Sequence, residues 1–130
     1  MSLLATVLSV VLAVVFTIAG ANKFSGSALA AIAPEHLNIS EKTYRLAGVL
    51  ELLGAFGLLV GAIAAPLVGS LAAVCLGLLL LGAVVLHIRA GDPFAVGDGF
   101  TKSDATAIEG WAPAAGLVAL CWLAAALILI

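Results

Sequence analysis

The sequence predicts an all-α integral membrane protein, an up-down-up-down four-helix bundle, and three observations carry that expectation. Of its 130 residues, 65% are hydrophobic and only 9% charged, and the mean hydropathy is +1.33. A soluble domain of this length has too little interior to hide so much apolar surface. The apolar residues also fall into four runs, each near the length of about 20 helical residues that crosses a hydrocarbon core. Finally, one pair of runs is separated only by Ala65-Pro66, which allows a tight turn and nothing more.

The first span is expected from Leu3 to Lys23, apolar or small until Asn22 and Lys23. Ala19-Gly20-Ala21 imitates a signal-peptide cleavage site, but no positive segment precedes the run, so the helix is expected to be retained. Phe24–Thr43 is mixed. Ser25-Gly26-Ser27 can cap a short interfacial segment, Ala28–Ala33, which Pro34 is expected to end. His36 then falls in a loop, in water. Ser40 followed by Thr43 is a start signal for the second span, Tyr44–Ala64. The third runs from Pro66, a favoured first helical residue, to Ala90, with Gly91 suited to cap it. A polar loop, Asp92–Gly110, leads to the fourth, Trp111–Ile130. The whole chain, 1–130, reads as one transmembrane domain.

That topology puts both long loops at one end of the bundle. All of Lys23, Lys42, Arg45, Arg89 and Lys102 belong there, and the positive-inside rule makes that face cytoplasmic, with both termini outside. The net charge of −2 rests on few residues and suggests no nucleic-acid partner. Cys75 and Cys121 stand alone in apolar runs, so neither a disulfide framework nor a metal site follows, and both thiols are expected to pack as small apolar groups.

The second span carries one charge past Arg45, Glu51. Ala47, Gly48, Glu51, Gly54, Ala55, Gly61 and Ala62 share a helical stripe, and small residues let backbones approach in lipid. Leu50, Leu53, Phe56 and Leu59 lie elsewhere and can face acyl chains. An ionisable group on such a stripe is a functional hypothesis, because burying it in a membrane costs free energy. Glu51 sits roughly 8–10 Å below the loop side at 1.5 Å per residue. Asn22, Lys23, His87, Arg89, Asp92 and Trp111 mark helix ends on that side, so the topology lets all of them converge on Glu51. Glu51 and His87 are the candidate acid/base groups; Asn22, Lys23, Arg89, Asp92 and Trp111 are the candidate ligand-binding groups. Duller readings stand beside these. Lys23 or Arg89 can serve only as a structural partner of Glu51 or snorkel to the interface; His87 can bond a backbone carbonyl; Asp92 before Pro93 can be turn chemistry. The glycines at 57, 61, 69 and 77 exceed the obvious needs of one bundle and suggest a homodimer.

At these residues the chain resembles the DoxX-like family of small four-helix membrane proteins. The likeness rests on A-G-x-x-K (Ala19, Gly20, Lys23), on G-x-x-E-x-x-G-A-x-G-L (Gly48, Glu51, Gly54, Ala55, Gly57, Leu58) and on A-V-V-x-H-x-R-x-G-D-P (Ala83 to Pro93). The family takes its name from a subunit associated with a quinol oxidase and thiosulfate:quinone oxidoreductase, so the resemblance implies the fold and a redox setting. The residues restrict that inheritance: no histidine pair is spaced for a haem and no cysteine cluster for an iron–sulfur centre. With no intrinsic cofactor, an electron carrier would be a bound quinone or a soluble oxidoreductase partner. The leading expectation is a membrane subunit or enzyme binding a small lipophilic molecule, a quinone, at the charged end. A proton-coupled transporter and a structural membrane partner of another enzyme are the alternatives.

Overall fold

The structure, a computed structural model, describes residues 2–92 and 111–130, with the Trp111 side chain outside the description. Five helices form among the described residues: α1 (Leu3–Asn22), α2 (Ala28–His36), α3 (Glu41–Ile63), α4 (Pro66–Ala90) and α5 (Trp111–Leu129). No strand occurs among them. Four, all but α2, are long and apolar enough to cross a membrane, and the chain is an all-α membrane helical bundle.

Capping explains most boundaries. The Ser2, Ser27 and Ser40 hydroxyls accept from the backbone N–H of Ala5, Ala30 and Thr43, starting α1, α2 and α3. The Ser40 cap starts α3 at Glu41, one turn before the expected Tyr44. Pro66 opens α4 and Gly91, at φ 81°, closes it, a left-handed backbone that glycine adopts without a Cβ penalty. Pro34 does not end α2. It lies in the last turn, where its missing N–H forfeits one bond, and its carbonyl accepts from the Ile39 N–H at 3.0 Å.

The long helices pack in chain order, α1 on α3, α3 on α4 and α4 on α5, with a lighter contact of α1 on α5. The core is Leu12, Ala13 and Phe16 of α1, Ala55 and Leu58 of α3, Ala73, Leu76 and Leu80 of α4, and Val118, Cys121, Ala124 and Ala125 of α5. Around it Leu3, Leu53, Phe56, Ile63, Leu67 and Leu123 are exposed, which suits acyl chains as solvent. Within α3 the buried residues are Gly48, Glu51, Ala55, Leu58 and Gly61, so the small-residue stripe faces the bundle.

The glycines are used inside one chain. A Cβ at Gly61 would stand 2.2 Å from the Gly69 Cα, one at Gly57 2.7 Å from the Ala72 Cβ, and one at Gly77 2.3 Å from the Trp122 indole nitrogen. Gly54 faces Leu76 in the same way. Paired positions descend along α4 as they ascend along α3. These glycines therefore give a homodimer no support: the surplus of small residues is the means by which α3, α4 and α5 touch.

Candidate functional site: an ion pair beside a small pocket

Close approach of α1 and α3 sets the first cluster. A Cβ on Gly20 would meet the Gly48 carbonyl at 2.8 Å, and one on Gly48 would meet the Lys23 Cβ at 3.1 Å and the Phe24 ring at 2.9 Å. With both side chains absent, the stem of Lys23, the C-cap of α1, lies along α3 and reaches the turn beyond Gly48. There its Nζ donates to Glu51 Oε2 at 2.7 Å, the side chains being 16% and 9% exposed. The ammonium also sits 5.5 Å from the Tyr44 ring centroid, a cation–π distance, and donates weakly to the Ala19 carbonyl at 3.4 Å. Tyr44, Gly48 and Glu51 recur at spacings of four and three, so one face of α3 supplies all three.

A pocket of about 160 Å³ opens beside this pair, lined by Lys23, Phe24, Gly26, Ala30, Ala31, Glu41, Tyr44 and Arg45. The Arg45 guanidinium donates to Glu41 at 2.6 Å, one turn apart and exposed. A cavity near 150 Å³ is large enough for one benzene ring. A larger groove, about 400 Å³, runs between α3 and α4, but apart from the Cys75 thiol its lining is hydrocarbon and glycine.

The second cluster assembles where α4 ends. Gly91 turns the chain back so that the Asp92 N–H donates to the His87 carbonyl at 3.0 Å. The same turn sets Asp92 Oδ2 2.6 Å from His87 Nδ1, while Oδ1 lies 2.7 Å from His36 Nε2 of α2. Against an ionised carboxylate these ring nitrogens must be the donors. The Asp92 side chain is 8% exposed. Burial alone would raise its carboxyl, but the hydrogen bonds from His87 and His36, with their charge, outweigh it and hold the group below its ordinary value.

Several expectations change here. His36 is not a solvated loop residue; it ends α2 and is bonded to Asp92. His87 bonds that same carboxylate rather than a neighbouring carbonyl, and Asp92 does more than turn the chain. Of the two cations offered to Glu51, Lys23 takes it. Arg89 is exposed, as is Asn22, and Arg89 makes no ion pair with a described residue. The Trp111 side chain lies outside the described residues. No hydrogen bond among the described residues joins the Glu51 cluster to the His87 cluster. Tyr44 was absent from the candidates, although its spacing from Glu51 pointed to it; for His36 no local signal existed. Among the described residues no group of three acids, histidines or cysteines is placed to hold a metal ion.

Comparison with known proteins gives one finding. The family model described as the DoxX-like family matches residues 7–100, a stretch that includes both clusters and stops short of α5. No curated protein and no solved structure matches the chain.

Proposed function

From a chain that belongs to the DoxX-like family, we propose a membrane protein that binds the head of a small lipophilic molecule, a quinone, in the pocket beside Lys23 and Glu51. The observation that carries this reading is the coincidence of a ring-sized pocket with Lys23 in its lining, the lysine whose ammonium is paired with Glu51. An ammonium can donate to a quinone carbonyl, and a carboxylate can accept from the hydroxyl of the reduced form. The Tyr44 ring gives the pocket an aromatic wall, and the exposed Phe24 and Leu46 nearby suit an apolar tail left among lipid chains. A redox partner, if the ligand is turned over, would be a separate oxidoreductase docking on the same end.

The reading includes an orientation. Four spans crossing up-down-up-down place Lys23, Lys42, Arg45 and Arg89 on one face, and the positive-inside rule assigns that face to the cytoplasm.

The test is purification with native lipids, mass spectrometry of what remains bound, and titration with a short-chain quinone. A co-purified quinone and saturable binding are expected, with binding at least about ten-fold weaker in Glu51→Gln, the loss typical of one positioned acid/base or hydrogen-bonding group. Binding that survives Glu51→Gln and Lys23→Met unchanged would remove the site. A co-purified soluble protein with no lipophile would favour the structural-partner alternative.

A further inference from the structure

The cluster at the end of α4 takes no part in the pocket beside Lys23. We propose that His36, Asp92 and His87 form a separate proton-accepting site at the loop end of the bundle, with Asp92 as the positioning residue and His36 Nδ1 and His87 Nε2 as the acceptors. The first observation is how one carboxylate is shared. Its oxygens are taken by rings from two helices through opposite nitrogens, His87 Nδ1 at 2.6 Å and His36 Nε2 at 2.7 Å. The Asp92 carboxyl is held below its ordinary value and is ionised at neutral pH, so each of those nitrogens carries the hydrogen. In a neutral imidazole the other nitrogen is then a bare acceptor. The fold therefore dictates two different tautomers, bare at Nε2 in His87 and bare at Nδ1 in His36.

The second observation is access. The Asp92 side chain is 8% exposed, while those of His87 and His36 are 20% and 30% exposed. Among the described residues neither ring makes a further side-chain hydrogen bond, and the only buried side-chain nitrogen or oxygen without a partner is Ser9 Oγ. The two bare nitrogens are thus open to water, with the carboxylate behind them. A brace between α2 and α4 needs only the His36 arm; His87 lies five residues from Asp92 and ties no second helix to it. With both rings neutral the unit carries one negative charge. A proton added to either bare nitrogen leaves its donor as the conjugate base and makes an imidazolium beside the carboxylate, which brings the unit to zero with no bond broken inside it. No other described charge is bonded to the unit: Glu35 of α2, Lys42 of α3 and Arg89 of α4 are exposed, and Glu41 and Arg45 of α3 pair with each other. A carboxylate that fixes the tautomer and steadies the imidazolium is the arrangement by which histidine serves as a general base.

The test is nitrogen NMR of the full chain in lipid nanodiscs with both histidine ring positions labelled, His36→Gln and His87→Gln serving to assign the signals. The neutral rings are expected to show a bare Nε2 in His87 and a bare Nδ1 in His36. On acidification the proton should land on those two nitrogens while the two that bond Asp92 keep theirs. Asp92→Asn offers one carbonyl oxygen where the carboxylate offered two, so one of the two tautomers should be lost. If that variant fails to fold, the single histidine variants carry the test, because the ring that remains should keep its own tautomer. Access is read with diethyl pyrocarbonate, which acylates bare imidazole nitrogens and should modify both histidines of the unaltered protein. Both rings in the same tautomer, tautomers indifferent to a folded Asp92→Asn, or a ring closed to the reagent as in a purely structural brace, would each overturn the site.

Discussion

Replacing Gly61 with alanine tests the packing of α3 on α4 most directly. The new methyl would stand 2.2 Å from the Gly69 Cα and 2.6 Å from its nitrogen, where non-bonded carbons rest at about 3.5–4.0 Å. The obstacle is backbone, so no rotamer change relieves it; the helices must part by roughly 1.3 Å or more at that level. Overpacking of this kind costs about 1–3 kcal/mol, and backbone against backbone belongs at the upper end. Alanine recovers up to about 1 kcal/mol of helix propensity, so a net loss of about 2 kcal/mol is expected for Gly61→Ala. Gly69→Ala meets the Gly61 Cα at 2.8 Å and should cost less, needing a shift of roughly half that size. Gly82→Ala meets nothing within 4 Å and should be neutral or slightly stabilising. Unfolding of the three variants in mild detergent, followed by circular dichroism, measures the series. If Gly61→Ala proves as stable as Gly82→Ala, the account of α3 and α4 meeting at Gly61 and Gly69 is wrong.

Three further outcomes are expected. In the Lys23–Glu51 pair, Lys23→Met or Glu51→Gln alone should each cost about 2 kcal/mol, below the 3–5 kcal/mol of a fully buried pair because Lys23 keeps contact with water, while the double variant should lose less than the sum; strict additivity in a thermal-unfolding cycle would mean the two do not interact. For Asp92, a lowered carboxyl value means stability that is present above the ordinary unfolded value of about 3.9 and lost as pH falls through the lower folded one. The melting-temperature gap between the unaltered protein and Asp92→Asn should therefore hold steady from neutral pH down to about pH 4 and shrink only below it, and a gap already closing at pH 6 would contradict the bonding described. For orientation, an external thiol reagent should modify a cysteine placed at Pro66 and spare one placed at Gly97; the reverse pattern would invert the assignment.

The spans were legible because a bilayer leaves little choice: an apolar run of sufficient length must be a helix. The stripe bearing Glu51 was legible for a related reason, since glycine and alanine at helical spacing mark where backbones meet. The choice of Lys23 over Arg89 was not, because it depends on how closely α1 approaches α3 at Gly20 and Gly48, and hydropathy encodes only that both are small. Pro34 misled, since a proline in a final turn removes only one bond. His36 and Asp92 stand far apart in the chain, and only the folded path of α2 brings them together. Whether small residues serve contacts within a chain or between chains is likewise tertiary, as Gly57, Gly61 and Gly77 illustrate.

The placement of the Lys23–Glu51 pair also bears on how the chain enters the bilayer. The acid sits inside α3, and its counter-ion ends α1, so the cation is made first and can be waiting when the carboxylate arrives. Helices α3 and α4 are joined through Ala64 and Ala65, with no polar side chain at the bend, so this hairpin can cross as one piece with Glu51 as its only deep charge. An α1 already seated turns that one costly group into half of a neutral pair at the moment of entry. Helix α5 packs against α4 of this hairpin, its Ala125 carbonyl accepting from the Ser70 hydroxyl at 3.0 Å and its Trp122 lying over Gly77. Translation order and charge order coincide, and a chain synthesised with α1 last would have to insert the bare acid first.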